Sequence, residues 1–277
     1  MSQSVSLPAA GLAVRPARPW PQLRLAPLRR FATPLLLVGL WQAGSMLGVI
    51  PARTLAAPST IAVSAWGLMA SGALGHHLAV SLGRVSIGLG LGVLTGTVLG
   101  LIAGLSRLGE DIVDAPLQMI RTLPFLGLVP LFILWFGIGE VPKIALVALG
   151  TSFPIYLNLF AGIRGIDGKL VEAARVFGLD RRGLTWHVIL PGALPAGLVG
   201  LRTSLSVAWL SLVIAEQINA DAGIGYLIND ARDFLRTDII VVGLVIYALL
   251  GLAADALVRA LERRALAWRP ALLAGAR

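Results

Sequence analysis

The chain has 277 residues, of which 57% are hydrophobic and only 13% charged, with a mean hydropathy of +0.84; an ordinary soluble domain is about a quarter charged, so a water-soluble globular domain is excluded. The net charge of +9 does not point to nucleic acid, because the basic residues gather in three clusters between apolar runs, 15–30, 164–182 and 259–277, as they do in the cytoplasmic segments of membrane proteins. With no cysteine, disulfides, thiol catalysis and cysteine metal sites are excluded as well.

In chain order, a basic tail over 1–30 comes first. Arg29-Arg30-Phe31 resembles a twin-arginine export signal, but the apolar run after it is longer than the 7–15 residues of a signal core. The run therefore reads as a retained span. Six spans are expected, at about 31–50, 84–105, 112–137, 141–163, 192–215 and 237–261, each near the length a bilayer requires. Between the first two, residues 51–83 read as an interfacial helix and a short re-entry. Ser59 would cap that helix, and Ile61, Ala65, Leu68 and Met69 would form its apolar stripe. An even number of spans puts both termini on one side. With that side cytoplasmic, only Arg53, Lys143, Arg232 and Arg236 remain among the basic residues of the outer segments, the asymmetry expected of an inner membrane protein.

The second span carries Gly88, Gly92, Gly96, Gly100 and Gly104, four residues apart throughout. That spacing lines them along one helix face, a groove into which another helix can pack closely. In the third span Pro116, Pro124 and Pro130 interrupt the pattern, with Asp114 and Arg121 nearby. Proline removes a backbone donor and kinks a helix. The segment reads either as a helix beside a pathway, lined by Arg121, or as a packing irregularity.

Residues 164–190 form a polar loop between apolar runs. Asp167 can cap a short helix over 168–177, and Gly178 suits the left-handed residue that ends it. Leu170, Val171, Ala174 and Phe177 would share one face, with Lys169, Glu172 and Arg175 on another. Asp180 can cap a second short helix before Pro191 opens the fifth span. In that span Arg202, Ser206 and Trp209 make a polar, aromatic-bearing stripe leading to Glu216. A stripe of this kind is costly in lipid, so it lines a pathway for an anion or pairs Arg202 with a carboxylate of another span. Glu216, Asp221, Asp230 and Asp233 fall at or beyond the outer end and read as contacts for an outside partner.

No nucleotide-hydrolysing motif is present. Around Gly168-Lys169 a P-loop would need glycine at Ile163 and a hydroxyl residue at Leu170. His76 and His77, adjacent on a helix, cannot easily share one metal, so no metal site is expected. Nor does any Ser, His and Asp arrangement suggest a hydrolase.

Glu172-Ala173-Ala174, three residues, Gly178, then Leu190-Pro191 resembles the signature loop of the permease subunits of ATP-binding-cassette (ABC) importers. The likeness extends over about 31–270. It runs through Ser71-Gly72-Ala73-Leu74, His77 and Ser81-Leu82-Gly83-Arg84, then 131–138, 147–151, Phe153-Pro154-Ile155-Tyr156, 162–164, 187–195 and 222–227. It resembles most the nitrate/sulfonate/taurine branch, and within it the aliphatic sulfonate permeases. Leu55-Ala56-Ala57-Pro58 departs from the branch's usual Leu-Pro-Ser-Pro, and the basic N-terminal tail has no counterpart.

The resemblance implies an all-α polytopic membrane protein with the type I ABC importer fold. It implies a permease domain over 31–265, with 164–190 as the loop that couples to the ATPase and 266–277 as a cytoplasmic tail. It also implies a homodimer in the bilayer, two ABC ATPase subunits that use ATP while this chain binds no cofactor, and a periplasmic or extracellular solute-binding protein. Cargo then ranks as aliphatic sulfonates, taurine, then nitrate or an uncharged organic nutrient. An ion-driven secondary transporter is the alternative of a different class; matched half-repeats and deeply placed acidic relays, which would favour it, are missing.

Overall fold

The computed structural model describes residues 26–218 and 220–268, and within them the chain is helical. The basic tail up to residue 25 and the last residues, 269–277, lie outside the described residues. Helix α1 spans Ala26–Met46, α2 Pro58–Ala70, α3 Ala73–Leu105, α4 Arg107–Arg121, α5 Phe125–Phe136 and α6 Glu140–Arg164. There follow α7 at Gly168–Val176, α8 at Arg181–Leu184, a π-helical turn at Thr185–Ile189, α9 at Leu190–Ile218, α10 at Ile224–Asp233 and α11 at Thr237–Ala265.

Among the described residues four helices are long and apolar enough to cross a membrane: α3, α6, α8 through α9 as one helix, and α11. The pair α4 and α5 adds a fifth if counted as one broken span. The expected third span, 112–137, is therefore not one kinked helix. It is two helices bent by 104°. The break falls at Pro124, whose ring disfavours helical geometry at Leu123, whereas Pro116 and Pro130 sit inside α4 and α5. The expected first span, 31–50, is helical only to Met46 and then turns, with Val49 N–H donating to Gly44 O at 3.0 Å.

Other boundaries move too. The α3 helix starts at Ala73, not near Arg84, because Gly72 takes a φ of 75° that reverses the chain after α2. Ser59 does not cap α2. Pro58 opens that helix after Ala57, and Ser59 N–H donates to Gln42 Oε1 of α1 at 3.0 Å.

The centre of the bundle is α6, with α3 on one side and α9 on the other. The five α3 glycines spaced four apart, from Gly88 to Gly104, are all buried and lie against α6. A Cβ at Gly88 would meet Val147 Cβ at 2.6 Å, one at Gly100 would meet Leu159 at 3.3 Å, and one at Gly104 would meet Ile163 Cδ1 at 2.7 Å. Gly92 and Gly96 face Thr151 and Ser152 as closely. The partners advance with the glycines, so α3 and α6 run parallel with their backbones nearly touching. A second small-residue face does the same on α9: Ala193, Gly200, Ser204, Ala208, Ser211 and Ala215 are buried. Ser204 Oγ donates to Thr151 O at 2.6 Å, and a Cβ on Gly162 would meet Ala196 at 2.6 Å. In lipid, where apolar area alone gives no reason for helices to associate, close approach of this kind supplies the packing.

Candidate functional site

The loop after α6 folds as an elbow. Asp167 opens α7 by accepting from Lys169 N–H at 3.0 Å. At the other end Leu179 N–H donates to Ala174 O at 3.1 Å and Gly178 N–H to Arg175 O at 2.9 Å, the paired bonds of a Schellman cap. Gly178 sits at φ 84° to make that cap, a backbone region costly for a residue with a side chain. Asp180 Oδ1 accepts from Gly183 N–H at 2.7 Å and starts α8, which continues through the π turn into α9. Leu190 and Pro191 thus lie inside one long helix that begins in the loop, and Pro191 does not open a separate span.

Within the elbow Ala174 and Leu184 are buried, while Glu172, Ala173 and Gly178 are exposed. Leu170 and Phe177 do not join Ala174 on a buried face. Leu170, Val176, Phe177 and Trp186 all stand out from the bundle, Val176 and Phe177 at 86% and 85% exposure. The elbow has a small packed inside and an apolar, charge-edged outside. A patch of this sort marks a contact surface.

At the far end of the bundle lies a cluster that the sequence reading did not assemble. Arg84 of α3 is 4% exposed and Glu216 of α9 is 1% exposed, and Arg84 Nη1 donates to Glu216 Oε1 at 2.8 Å. Ser81 Oγ (2.8 Å), Gly225 N–H (2.8 Å) and Tyr247 Oη (3.3 Å) also donate to Glu216. Arg84 forks further onto Glu140 at 2.5 and 2.7 Å, where Lys143 adds a bond at 3.2 Å. Ile224 N–H donates to Ser81 Oγ at 2.8 Å and Gly223 N–H meets His77 Nδ1 at 3.1 Å.

The cluster ties α3, α6, α9, α10 and α11 together. Glu216 is therefore a buried anchor and not a contact for an outside partner. Its carboxylate is tolerated there because every lone pair is met by a donor. The sequence signal was Arg84, a lone cation at the edge of an apolar run.

Arg202 is not free. Its Nη2 lies 2.7 Å from Asp255 of α11, which also pairs with Arg259. Ser206 Oγ turns back onto Arg202 O at 3.4 Å, and Trp209 rests edge-on against Tyr247 with its Nε1 buried and unpartnered.

Arg121 has a different setting. It ends α4 at the break, and among the described residues its guanidinium makes neither an ion pair nor a hydrogen bond. Beside it a cleft of about 360 Å³ opens between the α4–α5 break and the middles of α6 and α9. Among the described residues no group of three or more His, Asp or Glu is placed to hold a metal ion.

Residues 96–266 match the family of binding-protein-dependent transport system inner membrane components. The chain is 50% identical over 256 residues to the putative aliphatic sulfonates transport permease protein of Escherichia coli (strain K12), covering 92% of this chain and 96% of that one. It is 39% identical over 195 residues to the taurine transport system permease protein of the same organism, covering 70% and 71%. Among solved structures, an amino acid ABC transporter shares the fold with a TM-score of 0.56 at 22% identity, covering 68% of this chain and 92% of that one. The spans, the small-residue packing and these similarities converge: the chain is a multi-pass membrane protein and belongs to the binding-protein-dependent transport inner membrane components, the permeases of ABC importers.

Proposed function

We propose that this chain is the membrane-spanning subunit of an ATP-driven importer of aliphatic sulfonates. The observation that carries the reading is the 50% identity to the aliphatic sulfonates permease across nearly all of both chains. It works as a homodimer in the cell membrane, with both termini and the elbow at 164–190 in the cytoplasm. The elbow seats in a groove on each of two ABC ATPase subunits, which hold the ATP; this chain binds no nucleotide. A solute-binding protein delivers cargo to the opposite face.

The elbow geometry supports that division of labour. Glu172, Ala173, Ala174 and Gly178 form a capped, rigid unit, and Leu190-Pro191 lie in the helix that continues from it into α9. Force on the elbow is thereby passed to a helix packed along the length of α6. Taurine is the second reading, favoured by the 39% identical relative.

The test is uptake by the full complex in vesicles, supplied with its binding protein. Ethanesulfonate and longer alkanesulfonates should accumulate in preference to taurine. A Gly178→Val change, which strains the Schellman cap, should lower uptake about tenfold or more while ATP hydrolysis becomes insensitive to loaded binding protein. Wild-type coupling in both the Gly178→Val and the Glu172→Ala complexes would argue against the elbow as the docking element.

A further inference from the structure

Arg121 and the cleft beside it have a chemistry that the family likeness does not assign. The cleft lies at mid-height in the bundle, walled by Leu123, Phe125, Leu128, Phe153, Leu157 and Val207. At about 360 Å³ it is within the size range of small-molecule sites, which are mostly apolar with a few placed polar groups. The charged group on its lining is Arg121, joined by the Asn158 amide and the Thr203 hydroxyl. Thr203 Oγ1 already donates to Val199 O at 3.0 Å and Asn158 Nδ2 to Pro154 O at 2.8 Å, so Arg121 supplies most of the uncommitted donors.

Among the described residues no carboxylate lines the cleft. The nearest acid along α4, Asp114, is two turns away, about 10 Å, and is held by the Tyr156 hydroxyl at 2.8 Å. Arg202 differs, since Asp255 neutralises it.

An unpaired guanidinium facing apolar walls is complementary to one ligand class: a single strong anion on a short alkyl tail, without an ammonium group. We infer that the cleft at the α4–α5 break is a translocation subsite for such amphiphilic anions, with Arg121 holding the head and Phe153, Leu157 and Val207 the tail. This rests on the importer reading above and deepens it. An aminosulfonate would bring a cation with no counter-charge in the cleft, and an anion without a tail would leave the apolar wall unused.

The experiment uses the full reconstituted complex with its binding protein and a series from methanesulfonate to octanesulfonate. Uptake is normalised to assembled complex. Arg121→Gln should reduce uptake across the series by about tenfold or more, the factor a hydrogen bond to a charged group contributes, and Arg121→Lys should recover most of it. Leu157→Trp, which fills the tail wall, should cut octanesulfonate uptake at least about tenfold relative to methanesulfonate, a change of profile that general destabilisation would not produce.

An unaltered rate in Arg121→Gln, or an unaltered chain-length profile in Leu157→Trp, overturns the subsite. So does loss of the second permease copy from the Arg121→Gln complex, which would make the cleft a dimer seam. Wild-type complex that imports another solute and no sulfonate overturns the sulfonate reading on which the subsite rests, and is thereby told apart from failure of the subsite alone.

Discussion

The buried pair Arg84–Glu216 shows how single residues decide the far end of the bundle. Breaking one partner of such a pair leaves an uncompensated charge and costs about 3–5 kcal/mol. Glu216→Gln should therefore lower the midpoint of thermal unfolding in detergent markedly. The double change Arg84→Met with Glu216→Leu should cost less than the two single changes added together, because neither member of the buried pair is left without its partner and the half-exposed Glu140 keeps Lys143. Additive losses would show that the two side chains act independently. The cluster was only partly legible in the sequence. Arg84 reads there only as the start of the second span and as part of the family likeness; its link to Glu216 spans 132 positions, and no local spacing encodes that. Glu216 reads as surface only while the following segment is taken as an outer loop. The α10 helix folds back over it, and Gly223 and Gly225 leave room for the carboxylate where a Cβ would strike it.

Among the elements, the α3–α6 pair was the most readable and the α4–α5 pair the least. Five glycines four residues apart specify a helix face without reference to anything distant. Their partner, however, could not be named from sequence, because the Val147, Thr151, Ile155, Leu159 and Ile163 register of α6 consists of ordinary side chains. Overpacking this seam should be costly: Gly92→Leu would drive a side chain into Thr151 and the Ala148 carbonyl, destabilising by about 1–3 kcal/mol or more. Gly90→Leu places the same side chain two residues away, where no atom lies within 4 Å, and should be close to neutral. Similar melting temperatures for the two variants would contradict the packing described.

The α4–α5 segment misled for a physical reason. Prolines at 116, 124 and 130 all disfavour a continuous helix, yet only the one at 124 ends it, since Pro116 and Pro130 are accommodated inside their helices. Elbow boundaries were nearer to the sequence expectation, because Asp167, Asp180 and Gly178 are caps whose chemistry is local.

For the molecule as a whole, the elbow at one end and the buried charge cluster at the other are joined by α9, which continues from the elbow and ends at Ile218, just past Glu216. That continuity gives a path across the bundle between the proposed ATPase contact and the proposed cargo-entry face, in keeping with alternating access by movement of packed units. The membrane class and the family were legible from composition and the Glu-Ala-Ala…Gly…Leu-Pro spacing. The family likeness ranks sulfonate cargo first; the cleft beside Arg121 was not legible, because it is assembled from three separated segments. The most direct measurement of the central claim is sulfonate accumulation in vesicles at fixed membrane potential, comparing the chain alone with the chain assembled with its ATPase and loaded binding protein. The account predicts uphill uptake only in the assembled complex, stopped by removal of ATP and unaffected by an uncoupler. Accumulation by the chain alone, driven by an ion gradient without nucleotide, would contradict it.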